Sequence, residues 1–422
     1  MALDVRKIPK TPEDWLAIEF EANQLFSPAA PINEAELFAG RQPQVRRLLD
    51  AVSERGRHAV LFGERGVGKT SLANIFHILV GAISSKAIIP IWKQCYPTDT
   101  FSSLWRRVFD SMTVDTHIDG KIVRSRVSES YEDSIFPDDV VNELSNFSLN
   151  HDPIVVFDEF DKITDQELKS LMSHTLKALS DRGVNCTILI VGVAEDINVL
   201  ISEHSSVERN LTEIKMPRMS PVEMNQILDK IIPKLGMKID GDSRWKIVTL
   251  SRGLPTYVHY LGREAVKAAV SRRSLKIQEI DVNIAISALI ELSDQSTRSA
   301  YAEAVHSNKK NNLYKEVLLA CAICNTDDEG RFTPSDVIEP LSKILGKRVT
   351  IANFQNHLNA FVEAVRGGIL EKKGLTRAFK YRFREPKMQP YVIMRGMSDG
   401  FLSEDALTIL SAPEQPRLFN DI

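Results

Sequence analysis

The stretch GERGVGKTS, Gly63 to Ser71, sets glycines at 63, 66 and 68 ahead of Lys69 and Thr70. It follows the apolar run HAVLF and precedes LANIFHILV, a run with helical spacing. In that context G-x-x-x-x-G-K-[ST] is a phosphate cradle. Glycines let successive backbone N–H groups converge on one anion, and the helix that follows adds the positive end of its dipole. The candidate nucleotide-binding set is therefore Gly63, Glu64, Arg65, Gly66, Val67, Gly68, Lys69, Thr70 and Ser71. Lys69 is expected to reach the β- and γ-phosphates, and the Thr70 hydroxyl to ligate Mg²⁺. Such a loop needs an acid on a neighbouring strand, and IVVFDEFDK supplies Asp158 at the end of a buried run for the magnesium shell. Glu159 beside it is placed to orient and deprotonate an attacking water. That second acid points to hydrolysis, because binding alone does not need it. Asp161 is expected to cap a helix.

Between about residue 40 and 216, apolar runs alternate with helical ones. HAVLFG (58–63), IIPIW (88–92), PIVVFD (153–158), TILIVGV (187–193) and TEIKM (212–216) are expected strands. Their alternation with helices implies an α/β P-loop unit with a parallel sheet covered on both faces. The Ser- and charge-rich segment 112–138 is expected as a surface insertion. The pattern then turns all-helical. SPVE, from Ser220, is a capping box with Pro at the first helical position, Gly236 is a stop signal, and helices are expected over 243–251 and through YVHYLGREAVKAAV. After a polar link, helices are expected at LYKEVLLACAI, SDVIEPLSKIL and IANFQNHLNAFVEAV, with two strands around Gly374. Three helices and a hairpin make a winged helix-turn-helix pattern. The expected divisions are an extension (1–24), the nucleotide domain (25–218), an all-α lid (219–292), a linker (293–310), the winged helix (311–396) and a tail (397–422).

HAVLFGERGVGKTSLA, VVFDEFDKI, ILIVGVAEDI and the helical lid together resemble an AAA+ ATPase of the origin-recognition or initiator type. The same framework is shared by transposition-regulator and STAND-type signalling ATPases. The resemblance covers nearly all of residues 25–390, and LFAGRQPQVRRLL (Leu37 to Leu49) is similar to the segment that family sets beside the adenine. It implies ATP and Mg²⁺ bound where lid and core meet, hydrolysis to ADP and phosphate, and ATP-dependent assembly of copies of the chain. It sets the sensor-1 position near Glu195 and an arginine finger, acting across a subunit boundary, at Arg209, with Arg218 in reserve. At the sensor-2 position the lid reads Gly253-Leu254-Pro255-Thr256, without arginine in register, so Arg252 or Arg263 is left to substitute. That departure implies slow or partner-dependent turnover.

The chain of 422 residues carries a net charge of −3 and 43% hydrophobic residues, an ordinary globular composition that excludes a basic nucleic-acid coat. The charge is uneven. From Lys343 to Arg395 there are twelve Lys or Arg against three acids. Lys372, Lys373, Arg377, Lys380, Arg382 and Arg384 are expected to meet phosphates of duplex DNA, with Asn353, Gln355, Asn356 and His357 facing base edges. The other reading is a signalling or defence switch whose C-terminal unit binds a protein. QPRLF, Gln415 to Phe419, resembles the Q-x-x-L-F peptide by which bacterial proteins dock on the sliding clamp. Four scattered cysteines, including Cys321 and Cys324 in a helical stretch, read as buried thiols of a reducing cytoplasm. No apolar run is long enough for a membrane span, and MALDVRKIPK lacks a signal-peptide core.

Overall fold

The computed structural model describes residues 9–28, 30–32, 34–81, 87–118, 121–131, 134–149, 151–194, 197, 200–201, 207–308, 312–374 and 379–402. They fall into two compact units, one of residues 30–217, the other of residues 1–29 with 218–422. The first helix, α1 (Pro12–Leu25), belongs to the second unit.

The first unit runs α2 (Gln42–Ser53), β1 (His58–Gly63), α3 (Lys69–Gly81), β2 (Ala87–Gln94), α4 (Phe101–Phe109) and a hairpin of β3 (Thr113–Ile118) and β4 (Lys121–Arg126). It continues with α5 (Pro137–Phe147), β5 (His151–Asp158), α6 (Gln166–Asp181), β6 (Thr187–Val193) and β7 (Leu211–Met216). Five strands form one parallel sheet in the order β2-β5-β6-β1-β7. β1 is buried throughout, and β5 and β6 over most of their length, which is why their sequences are continuous apolar runs rather than alternating ones. Trp105, Phe109, Phe157 and Phe160 fill the core on one side, with Trp105 edge-on to Phe157 at 5.3 Å between ring centres. The strands match the expected ones, β1 and β6 to the residue. The strand order corrects one expectation. Asp158 does not sit on a neighbour of the Gly63 strand, because β6 is inserted between β5 and β1. The segment 112–138 holds the β3–β4 hairpin, and its flanks are anchored, since Met112, Val127 and Ile135 are buried in the core.

In the second unit α7 (Pro221–Ile231), α8 (Gly241–Ser251), α9 (Pro255–Ser271) and α10 (Glu279–Leu292) form a bundle tied by the short parallel pair β8 (Lys238–Ile239) and β9 (Lys276–Ile277). The Ser220 capping box forms as expected. α1 packs on α9: Phe26 lies edge-on to His259 at 6.0 Å, and a Cβ at Gly262 would stand 2.6 Å from the Phe26 ring. The chain before residue 30 is therefore part of this unit rather than of the sheet. The stretch 293–310, expected as a linker, contains a helix, α11 (Gln295–Val305), capped by Asp294 and burying Thr297, Tyr301 and Ala304.

The chain then forms α12 (Tyr314–Ile323), α13 (Pro334–Leu345), α14 (Ile351–Val362), and an antiparallel pair β10 (Leu370–Lys373) and β11 (Lys380–Phe383). Phe332 bridges to Tyr381 beside that pair. A last helix, α15 (Met388–Ser398), was expected only as part of a basic cluster, yet eight of its residues from Met388 to Gly396 are buried. Cys321 and Cys324 are buried free thiols, as are Cys95 and Cys186. Among the described residues no helix is long and apolar enough to cross a membrane. Gln415 to Phe419 lies outside the described residues.

Candidate nucleotide site

The loop between β1 and α3 depends on its glycines. Gly63, Gly66 and Gly68 have φ of 151°, 85° and 96°, conformations that a side chain makes costly. Gly63 has a second reason. A Cβ there would sit 2.4 Å from the Met216 carbonyl oxygen on β7. Gly63→Ala is expected to cost about 3 kcal/mol of stability, from backbone strain and overpacking together. A urea-unfolding midpoint equal to the parent's would contradict it.

Lys69 folds back over the loop, its Nζ donating to the carbonyls of Gly63 at 3.1 Å and Glu64 at 2.9 Å. Burial pushes its pKa down to about 8, although Asp161, Asp158 and Glu64 pull the other way. The ammonium thus rests on two weak acceptors, which a phosphate can replace at little cost. The Thr70 hydroxyl, in the first turn of α3, donates to Asp158 Oδ2 at 3.0 Å, although β6 separates β5 from the strand β1 that leads into the loop. Burial raises the Asp158 pKa, offset in part by the Glu159 N–H and the Thr70 hydroxyl. A buried carboxylate short of counter-charge beside a hydroxyl is a hard-oxygen set of the kind magnesium takes. Among the described residues no cluster of three or more His, Cys, Asp or Glu could hold a metal by itself. A cation here therefore needs phosphate oxygens or water to complete its shell.

Glu159 follows Asp158 in the left-handed region, φ 56° and ψ 37°, a conformation uncommon outside glycine that costs of order 1–3 kcal/mol. That turn sends the two adjacent carboxylates in different directions. Asp158 accepts from the Glu159 N–H at 2.8 Å, while the Glu159 carboxylate meets Gln94 Nε2 at the end of β2 and Lys162 Nζ at 2.6 Å. Burial raises its pKa, but Lys162 and Gln94 outweigh that, and the carboxyl is held below its ordinary value. Asp161 caps no helix; Asp165 caps α6. Asp161 instead accepts from the Val193 N–H at 2.7 Å and so ties the ends of β5 and β6 together. Arg41, at 3% exposure, donates to the Val67 carbonyl at 2.8 Å. The Ser71 hydroxyl accepts from the Ile32 N–H at 3.1 Å. Sequence reasoning assigned nothing to Gln94 or to Arg41 individually.

The family model described as AAA ATPase domain matches residues 37–190, which contain the loop, both acids, three of the five sheet strands and the first part of β6. Residues 37–190 are an AAA ATPase domain. No curated protein matches the sequence. Among solved structures, the chain is similar to the Orc1 protein of Aeropyrum pernix in complex with DNA, at 16% identity, TM-score 0.46, covering 88% of this chain and 92% of that one. It is similar to Cdc6p of Pyrobaculum aerophilum at 13% identity, TM-score 0.46, covering 90% and 99%. A Walker-type ATPase of Pyrococcus abyssi aligns at 15% identity, TM-score 0.49, covering 88% and 99%. The AAA ATPase domain hydrolyses ATP, with Mg²⁺ as cofactor.

The remaining candidates are scattered. Arg209, beyond the AAA ATPase match, lies in the turn before β7 with a 75% exposed side chain, 3.6 Å from Asp181. Glu195 lies outside the described residues. Arg218 is turned into the second unit, donating to the Gln389 side chain and to the Arg252 carbonyl at 3.2 Å, which removes it as a reserve finger. Arg252 donates to the Cys324 carbonyl at 2.8 Å, and burial pushes its pKa down to about 10. Arg263 pairs with Glu264 at 2.9 Å. Neither of these two is positioned by its contacts for a phosphate.

The expected DNA contacts also divide. Lys373 and Lys380 oppose each other on the exposed face of the hairpin, and Arg384 is exposed just past it. Lys380 pairs with Asp327 at 2.9 Å, and Arg382 pairs with Glu371 across the strands. Lys372 lies over the Phe379 ring at 4.0 Å, on the face that carries buried Tyr381. Arg377 lies outside the described residues. On α14, Asn353 caps its own helix, Gln355 donates to the Tyr381 hydroxyl at 3.1 Å, and His357 packs against Tyr314. Of the four expected base readers, only Asn356 keeps an exposed side chain without such a commitment. Lys347 and Arg348, in the turn between α13 and α14, are exposed cations that the sequence reading counted but did not single out.

Proposed function

We propose that ATP turnover in the AAA ATPase domain drives assembly of copies of this chain on duplex DNA through a C-terminal winged helix. In this reading Lys69 engages the β- and γ-phosphates, Thr70 and Asp158 hold Mg²⁺, and Glu159 accepts the proton of the attacking water. Bound Mg²⁺ would spread the negative charge of the phosphate oxygens. Glu159 must first turn from Gln94 and Lys162, so the resting arrangement is a restrained one. Arg209 acts on a neighbouring copy's site. Its pair with Asp181 is long and exposed on both sides, the kind worth at most about 1 kcal/mol, so the guanidinium leaves it cheaply.

The observation that carries the DNA reading is the exposure of the cations Lys347 and Arg348, in the turn before α14, and Arg384, just past the hairpin. Each phosphate neutralised by such a cation steepens the salt dependence of binding by about one log unit per log unit. Duplex binding should therefore weaken steeply with salt, and Lys347→Glu with Arg348→Glu should flatten that slope by about 2. Equal slopes in parent and variant would sink the DNA reading. Mixing Glu159→Gln with Arg209→Ala tests assembly, because only an arginine acting in trans restores turnover in the mixture.

One observation favours the second reading, a switch that binds a protein partner. α14 carries no Lys or Arg between Ile351 and Val362, so its own surface offers nothing to a phosphate backbone. The same salt titration decides, since a protein-binding surface gives no duplex affinity to lose.

A further inference from the structure

Val67 sits between Gly66 and Gly68, both in conformations with positive φ. Two flanking glycines leave its peptide groups little steric resistance to turning. That freedom is a hazard in a loop whose N–H groups must converge on phosphate. A carbonyl turned inward would present negative charge to an anion. Something has to hold it.

Arg41 does so. Its guanidinium donates to the Val67 carbonyl at 2.8 Å, and the residue is 3% exposed. Its backbone is left-handed, φ 63° and ψ 20°, immediately after Gly40 at φ 69°. A left-handed arginine costs free energy and persists only where its surroundings hold it. The strained turn starts α2, and the arginine makes no side-chain cap there, so helix capping does not account for it. The segment before α2 grips the same loop a second time, through the Ile32 N–H on the Ser71 hydroxyl at 3.1 Å.

We infer that Arg41 is a positioning residue of the ATP site: it pins the Val67 carbonyl so that the amides of the loop stay turned to phosphate. The role rests on the ATP site proposed above. It is exerted equally on bound ATP and on the transition state, since the cradle holds both. The effect should therefore appear in KM and Kd and leave kcat alone.

The test uses the full chain, titrated with a fluorescent ATP analogue, with steady-state KM and kcat and the Tm without nucleotide measured alongside. Arg41→Gly removes the guanidinium and relieves the left-handed strain at once. It should raise Kd and KM about 10- to 100-fold, the worth of a hydrogen bond from a charged donor, with kcat within about threefold. Arg41→Lys, which keeps a charge but loses the fork, should fall between. Arg55→Ala, at an exposed position just past the end of α2, should match the parent. A Tm shift in Arg41→Gly without a change in Kd would make the role structural only and overturn the inference. So would a fall in kcat at unchanged KM. Should Arg41→Gly not fold, Arg41→Lys decides alone, and a Kd equal to the parent's overturns it. A parent that binds no ATP overturns the site reading as well, whereas the other failures leave that reading standing.

Discussion

Replacing Glu159 by Gln is expected to lower ATP turnover by about 10²- to 10⁴-fold, the usual contribution of a positioned base, while ATP still binds. Asp158 turns its carboxylate to Thr70 and Asp161 accepts from the Val193 N–H, whereas the Glu159 carboxylate is held only by the side chains of Gln94 and Lys162. Its neighbour Asp158 is committed to Thr70 and to the Glu159 N–H, so Asp158→Asn should weaken magnesium-dependent binding as well as turnover. The split between the two variants is the informative result. The amide in Glu159→Gln keeps the size of the side chain but cannot accept a proton, so the ground-state complex survives and only the transition state loses. Gln94→Ala should move the other way or not at all, because it removes one of the two bonds that hold the carboxylate aside. With the carboxyl held below its ordinary value, Glu159 is ionised at neutral pH and needs no prior deprotonation. Equal turnover in the parent and Glu159→Gln would show that the base is elsewhere.

What the sequence revealed follows from what each signal depends on. The loop from Gly63 to Thr70 is legible because phosphate chemistry fixes residue types at close spacing. β1 and β6 are legible because both are buried on two faces and read as unbroken apolar runs. α11 was missed because SDQSTRSAYAEAVHSNKK is polar on average. Its buried stripe, Thr297, Tyr301 and Ala304, is helical in spacing, and Asp294 supplies a cap, so periodicity held a signal that composition concealed. α15 was missed because Lys387 and Arg395 flank a buried middle and were counted as charge. The order of strands is a different matter. Nothing local says that β6 enters between β5 and β1, and so nothing local places Gln94 against Glu159 or Asp161 against Val193. Arg41 is the same case: a glycine-arginine pair before a helix does not announce a left-handed turn that aims its side chain at a loop 26 residues away.

Stability is expected to fall steeply between about pH 6.5 and pH 4, through two buried histidines, one in each unit. His58, wholly buried on β1, sets Nε2 against the Leu176 carbonyl at 3.2 Å and accepts the Ile188 N–H on Nδ1 at 3.1 Å. That pairing needs the neutral ring with its proton on Nε2, and burial pushes the pKa down to about 4. His259, on α9 against Phe26, is likewise pushed down to about 4 by burial, and its Nδ1 has no hydrogen-bond partner. Below pH 6.5 the unfolded chain takes up protons that the folded chain refuses. Stability is therefore fully present above 6.5 and declines as pH falls, until near pH 4 the folded rings accept protons too. At about 1.4 kcal/mol per unit of pKa, each histidine accounts for a loss of about 3 kcal/mol across that window. Carboxylates held low, such as Asp294 by Lys387, lose their contribution at lower pH, below the ordinary carboxylate value near 4. The two effects are separable. His58→Gln retains a donor and an acceptor, and His259→Phe discards a nitrogen that bonds to nothing, so neither should cost much at pH 7.5. Each should flatten the pH dependence of its own unit only. Urea midpoints at pH 7.5, 6 and 5 that decline as steeply in the double variant as in the parent would place the acid sensitivity elsewhere.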